Sequence, residues 1–266
     1  MKDLIIITGA TGGMGLEAAK HFHGKGKLLL LDISLDKLNN LKKELKNDVD
    51  VLLFDITNKN HINDLLTYVK KVGGFKHLLH FAGVSESAGN SELIYKINLL
   101  GTVNLLDALY DYILPGGVIL NTASISAHLT PATRDAFDLL VNPREEKFLE
   151  DIVRLTHDSN VAYGWSKLGV LELVKREGSR WGLKDARILS ISPGAIKTPM
   201  VAFETESGNK EAINQVIQAT PMKRIGLPED IVELVDFLIS DKASFITGTD
   251  ILIDGGVTEV FKSFNQ

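Results

Sequence analysis

Tyr163-Gly164-Trp165-Ser166-Lys167 puts a phenol and an ammonium four residues apart, near the middle of a 266-residue chain. On a helix that spacing sets both groups on one face. A phenol can donate or accept a proton, and an ammonium brings a fixed charge beside it, so the pair could serve acid–base chemistry. The same spacing is common on solvated helices. Its meaning therefore depends on what other elements bring to it, beginning with Ser124 and with two sets of residues suited to a nucleotide.

Leu4-Ile5-Ile6-Ile7 reads as a short strand buried on both faces, running into Thr8-Gly9-Ala10-Thr11-Gly12-Gly13-Met14-Gly15 and then a helical stretch from Leu16 to His23. Strand, glycine-rich turn and helix N-terminus together form a phosphate cradle, with Gly9, Thr11, Gly13, Met14 and Gly15 as the expected contacts. The pattern is G-x-x-x-G-x-G, which differs from the commoner G-x-G-x-x-G. A second strand, Lys27 to Leu31, ends at Asp32, 17 residues beyond Gly15, where a dinucleotide-binding unit places an acid on the adenosine ribose. A carboxylate there accepts ribose hydroxyls and repels a 2′-phosphate, and Ile33 offers no compensating cation, so NAD is the expected cofactor. The alternative for Asp32 is a cap on the next helix.

Two more strands, Val51 to Phe54 and His77 to Phe81, flank a helical stretch from Ile62 to Val72. They end in Asp55-Ile56-Thr57 and Ala82-Gly83, which makes Asp55, Ile56, Ala82 and Gly83 candidate contacts. Strands alternating with helices predict an α/β fold: a doubly wound parallel sheet of about seven strands with ligands across the strand C-terminal ends. Ser91 to Tyr112 reads as one long helix, with Asn98 beside its apolar face and in need of buried partners. Gly117 to Asn121 is a fifth strand, and Ser124 lies just past its end.

Composition is compatible with one large domain spanning 1–266, with 44% hydrophobic and 24% charged residues. Cysteine is absent, which excludes disulfides and thiolate metal sites and is consistent with a cytoplasmic protein. The apolar run after Met1-Lys2-Asp3 is too short for a signal-peptide core, and no stretch approaches the roughly 18 apolar residues of a membrane span. A net charge of −5 argues against nucleic-acid or anionic-membrane partners, and the seven histidines are too scattered to suggest a metal site.

Taken together, TGATGGMG after the first strand, Asp32, Asp55, Asn98, Ser124, YGWSK at 163–167 and Pro193-Gly194-Ala195-Ile196-Lys197-Thr198 resemble the short-chain dehydrogenase/reductase family across almost the whole chain. The resemblance implies that Tyr163 exchanges a proton with a carbonyl or alcohol oxygen and that Ser124 holds the same oxygen. It implies that Lys167 binds the nicotinamide ribose and lowers the Tyr163 pKa. A cation about 5 Å from a phenol, at an effective dielectric of ~20, is worth about 3 kcal/mol, or roughly two pKa units. Asn98 would hold a water that links Lys167 to solvent. Pro193, Gly194, Ile196 and Thr198 would flank the nicotinamide, after a strand around Arg187 to Ile191.

Three departures from the family pattern stand out. Phe81-Ala82-Gly83 occupies the place of the usual Asn-Ala-Gly, so whatever braces the sheet there has to be replaced. Ser124 and Tyr163 are 39 apart, implying a helical insertion at about 128–160 with short helical patterns around Phe137-Leu140-Val141 and Phe148-Ile152-Leu155. Trp165 is the third departure, and its bulk can shape either the active-site wall or a subunit contact. The long insertion and the Asp254-Gly255-Gly256-Val257 ending resemble the bacterial 3α-hydroxysteroid dehydrogenase/carbonyl reductases.

The expected function is an NAD(H)-dependent oxidoreductase that interconverts a secondary alcohol and a ketone, with a hydroxysteroid or other hydrophobic carbonyl compound as substrate. A 3-oxoacyl or polyol dehydrogenase is the alternative within enzymes, and a non-catalytic NAD-binding regulator the alternative outside them. A regulator would need none of Asn98, Ser124, Tyr163 and Lys167. A substrate lid is expected at about 199–221, with Val201, Phe203 and Ile217 as apolar members and Lys210, Lys223 and Arg224 as solvated cations. An insertion lying against the start of the Val161 to Trp181 helix predicts a homodimer through the C-terminal strand and the Pro228 to Ile239 helix, with a homotetramer as the alternative.

Overall fold

In the computed structural model, residues 3–46, 48–198 and 210–264 are described. Seven parallel strands form one sheet in the order β3-β2-β1-β4-β5-β6-β7. They are β1 Leu4–Thr8, β2 Lys27–Asp32, β3 Val49–Leu53, β4 Phe75–His80, β5 Ile113–Thr122, β6 Arg187–Pro193 and β7 Thr249–Ile253. The central strands are continuous apolar runs without alternation, and Ile6, Ile7 and Leu28 to Leu31 are all buried. Residues of that kind form a strand covered on both faces. Two hydrophobic cores result: Leu4, Ile6, Leu29 and Leu31 face one, and Ile5, Ile7, Leu28 and Leu30 face the other.

The strand order reverses between β1 and β4, which leaves a crevice at their C-terminal ends. The ends that rim it are Thr8, Asp32, Leu53, His80, Thr122 and Pro193. Helix α1 (Gly13–Phe22) starts directly after the glycine turn, and its N-cap residue, Gly12, supplies no side-chain partner to the first-turn amides. Helices α2 (Leu35–Leu45) and α3 (Lys59–Val72) complete the first half.

The predicted long helix from 91 to 112 is not uniform. It runs as α4 (Ser91–Tyr95), a wide π turn (Lys96–Gly101), α5 (Thr102–Leu109) and a final 3₁₀ turn (Tyr110–Tyr112). Inside the widened region the Thr102 hydroxyl donates to the Asn98 carbonyl at 2.8 Å, a back-bond of the kind that bends helices.

Between Ser124 and Tyr163 lie three short helices, α6 (Ser126–Leu129), α7 (Arg134–Leu140) and α8 (Phe148–Leu155). They pack on the long helix α9 (Ser159–Gly182) and on α4. Phe148 meets Tyr95 edge-on with ring centroids 6.3 Å apart. Arg144 donates to Asp107 on α5 and to the buried Glu177 on α9, each at 2.8 Å, and Arg180 joins the same two carboxylates. Trp165 is neither an exposed contact nor a lining residue of the crevice. It is buried, and its indole N–H donates to the Pro131 carbonyl at 3.0 Å. Beside it, a Cβ at Gly164 would overlap the Thr130 side chain, so the residue after Tyr163 has to be small for this segment to close onto α9.

Helix α10 (Lys210–Ala219), helix α11 (Pro228–Ile239) and helix α12 (Val257–Phe264) complete the chain. Residues 199–209, which include Val201, Phe203 and the first part of the expected lid, lie outside the described residues, as does the side chain of Lys210. Arg224 is paired with both carboxylate oxygens of Asp230, and Lys223 donates to the Gln218 carbonyl. No helix among the described residues is long and apolar enough to cross a membrane, and these residues contain no cluster of three or more metal-ligating side chains.

Candidate active site

The crevice has two lobes. One is lined by Gly9, Thr11, Gly13, Met14, Gly15, Asp32, Ile33, Asp55, Ile56, Ala82 and Gly83. The other is lined by Ser124, Tyr163, Lys167, Pro193, Gly194 and Ile196, together with Ser85, Glu86, Ser126 and Val216. Met14, Phe81, Gly83, Val84 and Thr198 line both, so the lobes form one elongated cleft across the strand ends. Of the expected catalytic and cofactor-contacting residues, all of which are described, only Asn98 lies behind this wall.

At the first lobe, Gly9 has φ +64, and a Cβ there would come within 2.9 Å of the Ala82 nitrogen. Glycine is therefore required both for the left-handed turn and for the approach of β1 to the end of β4. Asp32 is held by two backbone amides: Thr11 N–H donates to Oδ2 at 2.9 Å and Ser34 N–H to Oδ1 at 3.2 Å. The carboxylate thus ties the glycine turn to β2 and faces the cleft in a fixed orientation. Asp55 caps its own turn through the Thr57 amide and hydroxyl. Lys37, not singled out from the sequence, also lines this lobe and is exposed.

In the second lobe, one turn of α9 presents Tyr163 and Lys167 together, with the Lys167 ammonium 5.9 Å from the Tyr163 ring centroid. Lys167 is buried, and removal from water brings its pKa down to about 8. Its ammonium donates to the Thr122 carbonyl at the end of β5 at 2.9 Å. Ser124 is two residues further on. Its Oγ accepts from the Ser126 amide at 3.2 Å, which leaves the hydroxyl proton free to point into the cleft.

Asn98 finds the buried partners its position demands. Its Oδ1 accepts from the Val84 amide at 2.9 Å, and its Nδ2 donates to the Val84 carbonyl at 2.9 Å and to Ser166 Oγ at 3.2 Å. The side chain is thus committed to bracing the strand exit after Gly83 against α9.

Behind the wall lie groups that no sequence motif marks. His80 lies at the C-terminal end of β4, almost fully buried, with Thr8 as its register partner on β1. Its Nδ1 lies 2.7 Å from Thr8 Oγ1 and its Nε2 2.9 Å from Thr102 Oγ1. The one available signal was the next residue: Phe81 signals a missing brace, and the imidazole beside it is the group able to replace one.

The first half of the chain, residues 3–136, matches the short chain dehydrogenase family model, and residues 152–258 match a model described as enoyl-(acyl carrier protein) reductase. The short-chain dehydrogenase/reductase bsc3 of Alternaria brassicicola is 30% identical over 96% of this chain and 95% of its own length. The 7alpha-hydroxysteroid dehydrogenase of Bacteroides fragilis is 29% identical over 96% of this chain and 94% of its own. Among solved structures, the 3-alpha-hydroxysteroid dehydrogenase of Pseudomonas sp. B-0831, complexed with NADH, superposes with a TM-score of 0.80 at 23% identity, covering 98% of this chain and 99% of that one. The chain belongs to the short-chain dehydrogenase family, and is an oxidoreductase of that family.

Proposed function

We propose that this protein is an NAD(H)-dependent dehydrogenase/reductase that interconverts a secondary alcohol and a ketone at the Ser124–Tyr163–Lys167 lobe. The observation that carries this reading is the continuity of the cleft, which joins an acid–base group and a hydroxyl to a phosphate cradle and a fixed carboxylate. The residues fit such a cofactor: a Cβ-free turn at Gly9, the uncapped start of α1 for the pyrophosphate, and Asp32 for the adenosine ribose. When bound there, NAD(H) would supply the hydride acceptor or donor for the carbinol carbon. In the oxidising direction Tyr163 takes the hydroxyl proton, and in the reducing direction it returns one to the carbonyl oxygen. Ser124 donates to that oxygen and fixes its position, while Lys167 favours the phenolate and orients the nicotinamide ribose. Proton exchange with solvent runs from Lys167 past Asn98.

Preference for NAD rests on Asp32. A 2′-phosphate placed beside a carboxylate with both oxygens already held by backbone amides cannot push it aside cheaply. Lys37 is the one observation that favours the other cofactor, since it lines the same lobe. NAD is expected to bind at least about tenfold more tightly than NADP, which corresponds to about 1.4 kcal/mol. Asp32→Ala is expected to erase most of that gap. Calorimetric titration with both cofactors checks this, and tighter binding of NADP to the parent protein would overturn it.

For the substrate we favour a hydroxysteroid or another hydrophobic carbonyl compound. Support comes from the apolar Val84, Ile125 and Val216 in the second lobe and from the hydroxysteroid-dehydrogenase relative. Of the segment expected to form a lid, the described Val216 of α10 lines this lobe. The 3-oxoacyl and polyol readings place the same chemistry on a more polar ligand, for which Ser85, Glu86 and Ser126 are the available contacts.

The same reading extends to assembly. Helices α7 and α8 cover parts of α9 and α4, and Arg144 fills the space between Asp107 and Glu177, so those helix faces are occupied by the chain itself. The edge strand β7 and helix α11 stay open, with Phe237, Leu252 and the fully exposed Phe245 on or beside them. A homodimer across this edge is the expected form. Sedimentation should give a dimer for the parent and a monomer for Phe245→Glu with Leu252→Lys. A tetramer that survives both changes would contradict the arrangement.

A further inference from the structure

We infer that His80 is a positioning residue for the acid–base lobe: a neutral imidazole that ties the phosphate-cradle strand to the Asn98 turn and, through Asn98, to the turn of α9 that carries Lys167. This rests on the proposed function of the site. Its basis is a set of hydrogen bonds in which every proton can be assigned.

Thr8 Oγ1 accepts from the Ala82 amide at 3.1 Å, so its own hydroxyl proton is free for one further bond. The Asn98 carbonyl can only accept, so it takes the Thr102 hydroxyl proton at 2.8 Å, and Thr102 Oγ1 must accept from His80 Nε2 at 2.9 Å. The neutral ring then leaves Nδ1 bare to accept the Thr8 hydroxyl at 2.7 Å. Donation thus runs in one direction from the end of β4 to the π turn, and it selects a single tautomer. Burial, with the nearby Lys167 charge, holds the imidazole pKa down to about 3, so the ring stays neutral.

A second arm leaves from the same residue. The His80 carbonyl accepts from Thr122 Oγ1 at 2.8 Å, and the Thr122 carbonyl accepts from Lys167 Nζ at 2.9 Å. The first arm also reaches α9, because the Asn98 side chain donates to Ser166, the neighbour of Lys167. His80 is thus where the two supports of the catalytic helix turn meet. It also replaces the brace that Phe81 cannot supply.

The test separates this role from simple stability. His80→Leu keeps bulk and removes both ring bonds, His80→Gln keeps an acceptor and a donor, and Thr102→Val cuts the Asn98 arm alone. Folded protein is counted by its unfolding transition, NADH affinity by titration, and kcat and KM with an alcohol found active on the parent. Thr102→Val and His80→Leu are expected to lower kcat per folded molecule by about tenfold, the rate equivalent of one buried hydrogen bond. KM for the alcohol should change less than about threefold, and His80→Gln should recover most of kcat. If His80→Leu fails to fold, Thr102→Val carries the test. Parent-like kcat in Thr102→Val, or equal losses in the Leu and Gln variants that merely track folded fraction, would overturn the inference. A parent that binds NADH but turns over no alcohol would instead count against the proposed reaction, and the inference would fail with it.

Discussion

Replacing Tyr163 with phenylalanine is expected to lower turnover by about a thousandfold, within the range that a positioned general acid–base group supplies. Phenylalanine keeps the ring and loses only the hydroxyl, so the Lys167 ammonium still lies over an aromatic face at the same place on α9. NADH affinity should therefore stay within about twofold and the fold be kept, since no core packing is lost. The loss should fall on kcat and on kcat/KM alike, because the proton is exchanged only as the reaction proceeds. Steady-state kinetics and a thermal melt on one preparation check both parts. A variant with parent-like turnover would take the acid–base role away from Tyr163.

Lys167→Met should do two opposite things: abolish measurable turnover and make the fold more stable at neutral pH. Burial brings the Lys167 ammonium from 10.5 to about 8. A lysine whose pKa is lower in the folded chain than in the unfolded one burdens the fold while both forms are charged, which is the case below about 8. As pH rises from about 8 to 10.5 the folded form gives up its proton first, and stability rises through that window. The shift corresponds to about 3 kcal/mol, from which loss of the bond to the Thr122 carbonyl removes roughly 1 kcal/mol. The net gain of about 2 kcal/mol corresponds to an unfolding temperature raised on the order of 5 °C in a chain of this size. The gap between parent and variant should close as pH approaches 10.5. A variant that is less stable at pH 7 would mean that the ammonium is held by more than the Thr122 carbonyl.

What the sequence reveals and what it hides divide along a physical line. Local features were legible: apolar runs became strands buried on both faces, Asp32 fell at the end of β2 because strand and helix lengths set that spacing, and Tyr163 and Lys167 share a helix face because helical periodicity requires it. Relations set by tertiary pairing were not. His80 acquires its role only when β1 pairs with β4 and brings Thr8 opposite it, 72 residues away in the chain. The wide turn at Lys96–Gly101 interrupts a stretch whose periodicity reads as plain helix, around an Asn98 side chain bonded to Val84. Trp165 reads from the sequence as an active-site wall or a subunit contact because its partner, the Pro131 carbonyl, lies 34 residues back in a segment whose path cannot be read from pattern. Lys37 belongs to a solvated helix by composition, and only the curvature of the cleft brings it to the ribose lobe.

The proposed reaction is hydride transfer between a secondary alcohol and NAD at the lobe formed by Ser124, Tyr163 and Lys167. It is tested most directly by following deuterium from the carbinol carbon of labelled hydroxysteroids, polyols and 3-hydroxyacyl thioesters into the nicotinamide ring, by mass spectrometry of the reduced cofactor. At least one of these alcohols is expected to deliver deuterium to NAD with the parent protein, and about a thousandfold more slowly with Tyr163→Phe. Deuterium transfer from none of them, or transfer at the parent rate in the Tyr163→Phe variant, would contradict it.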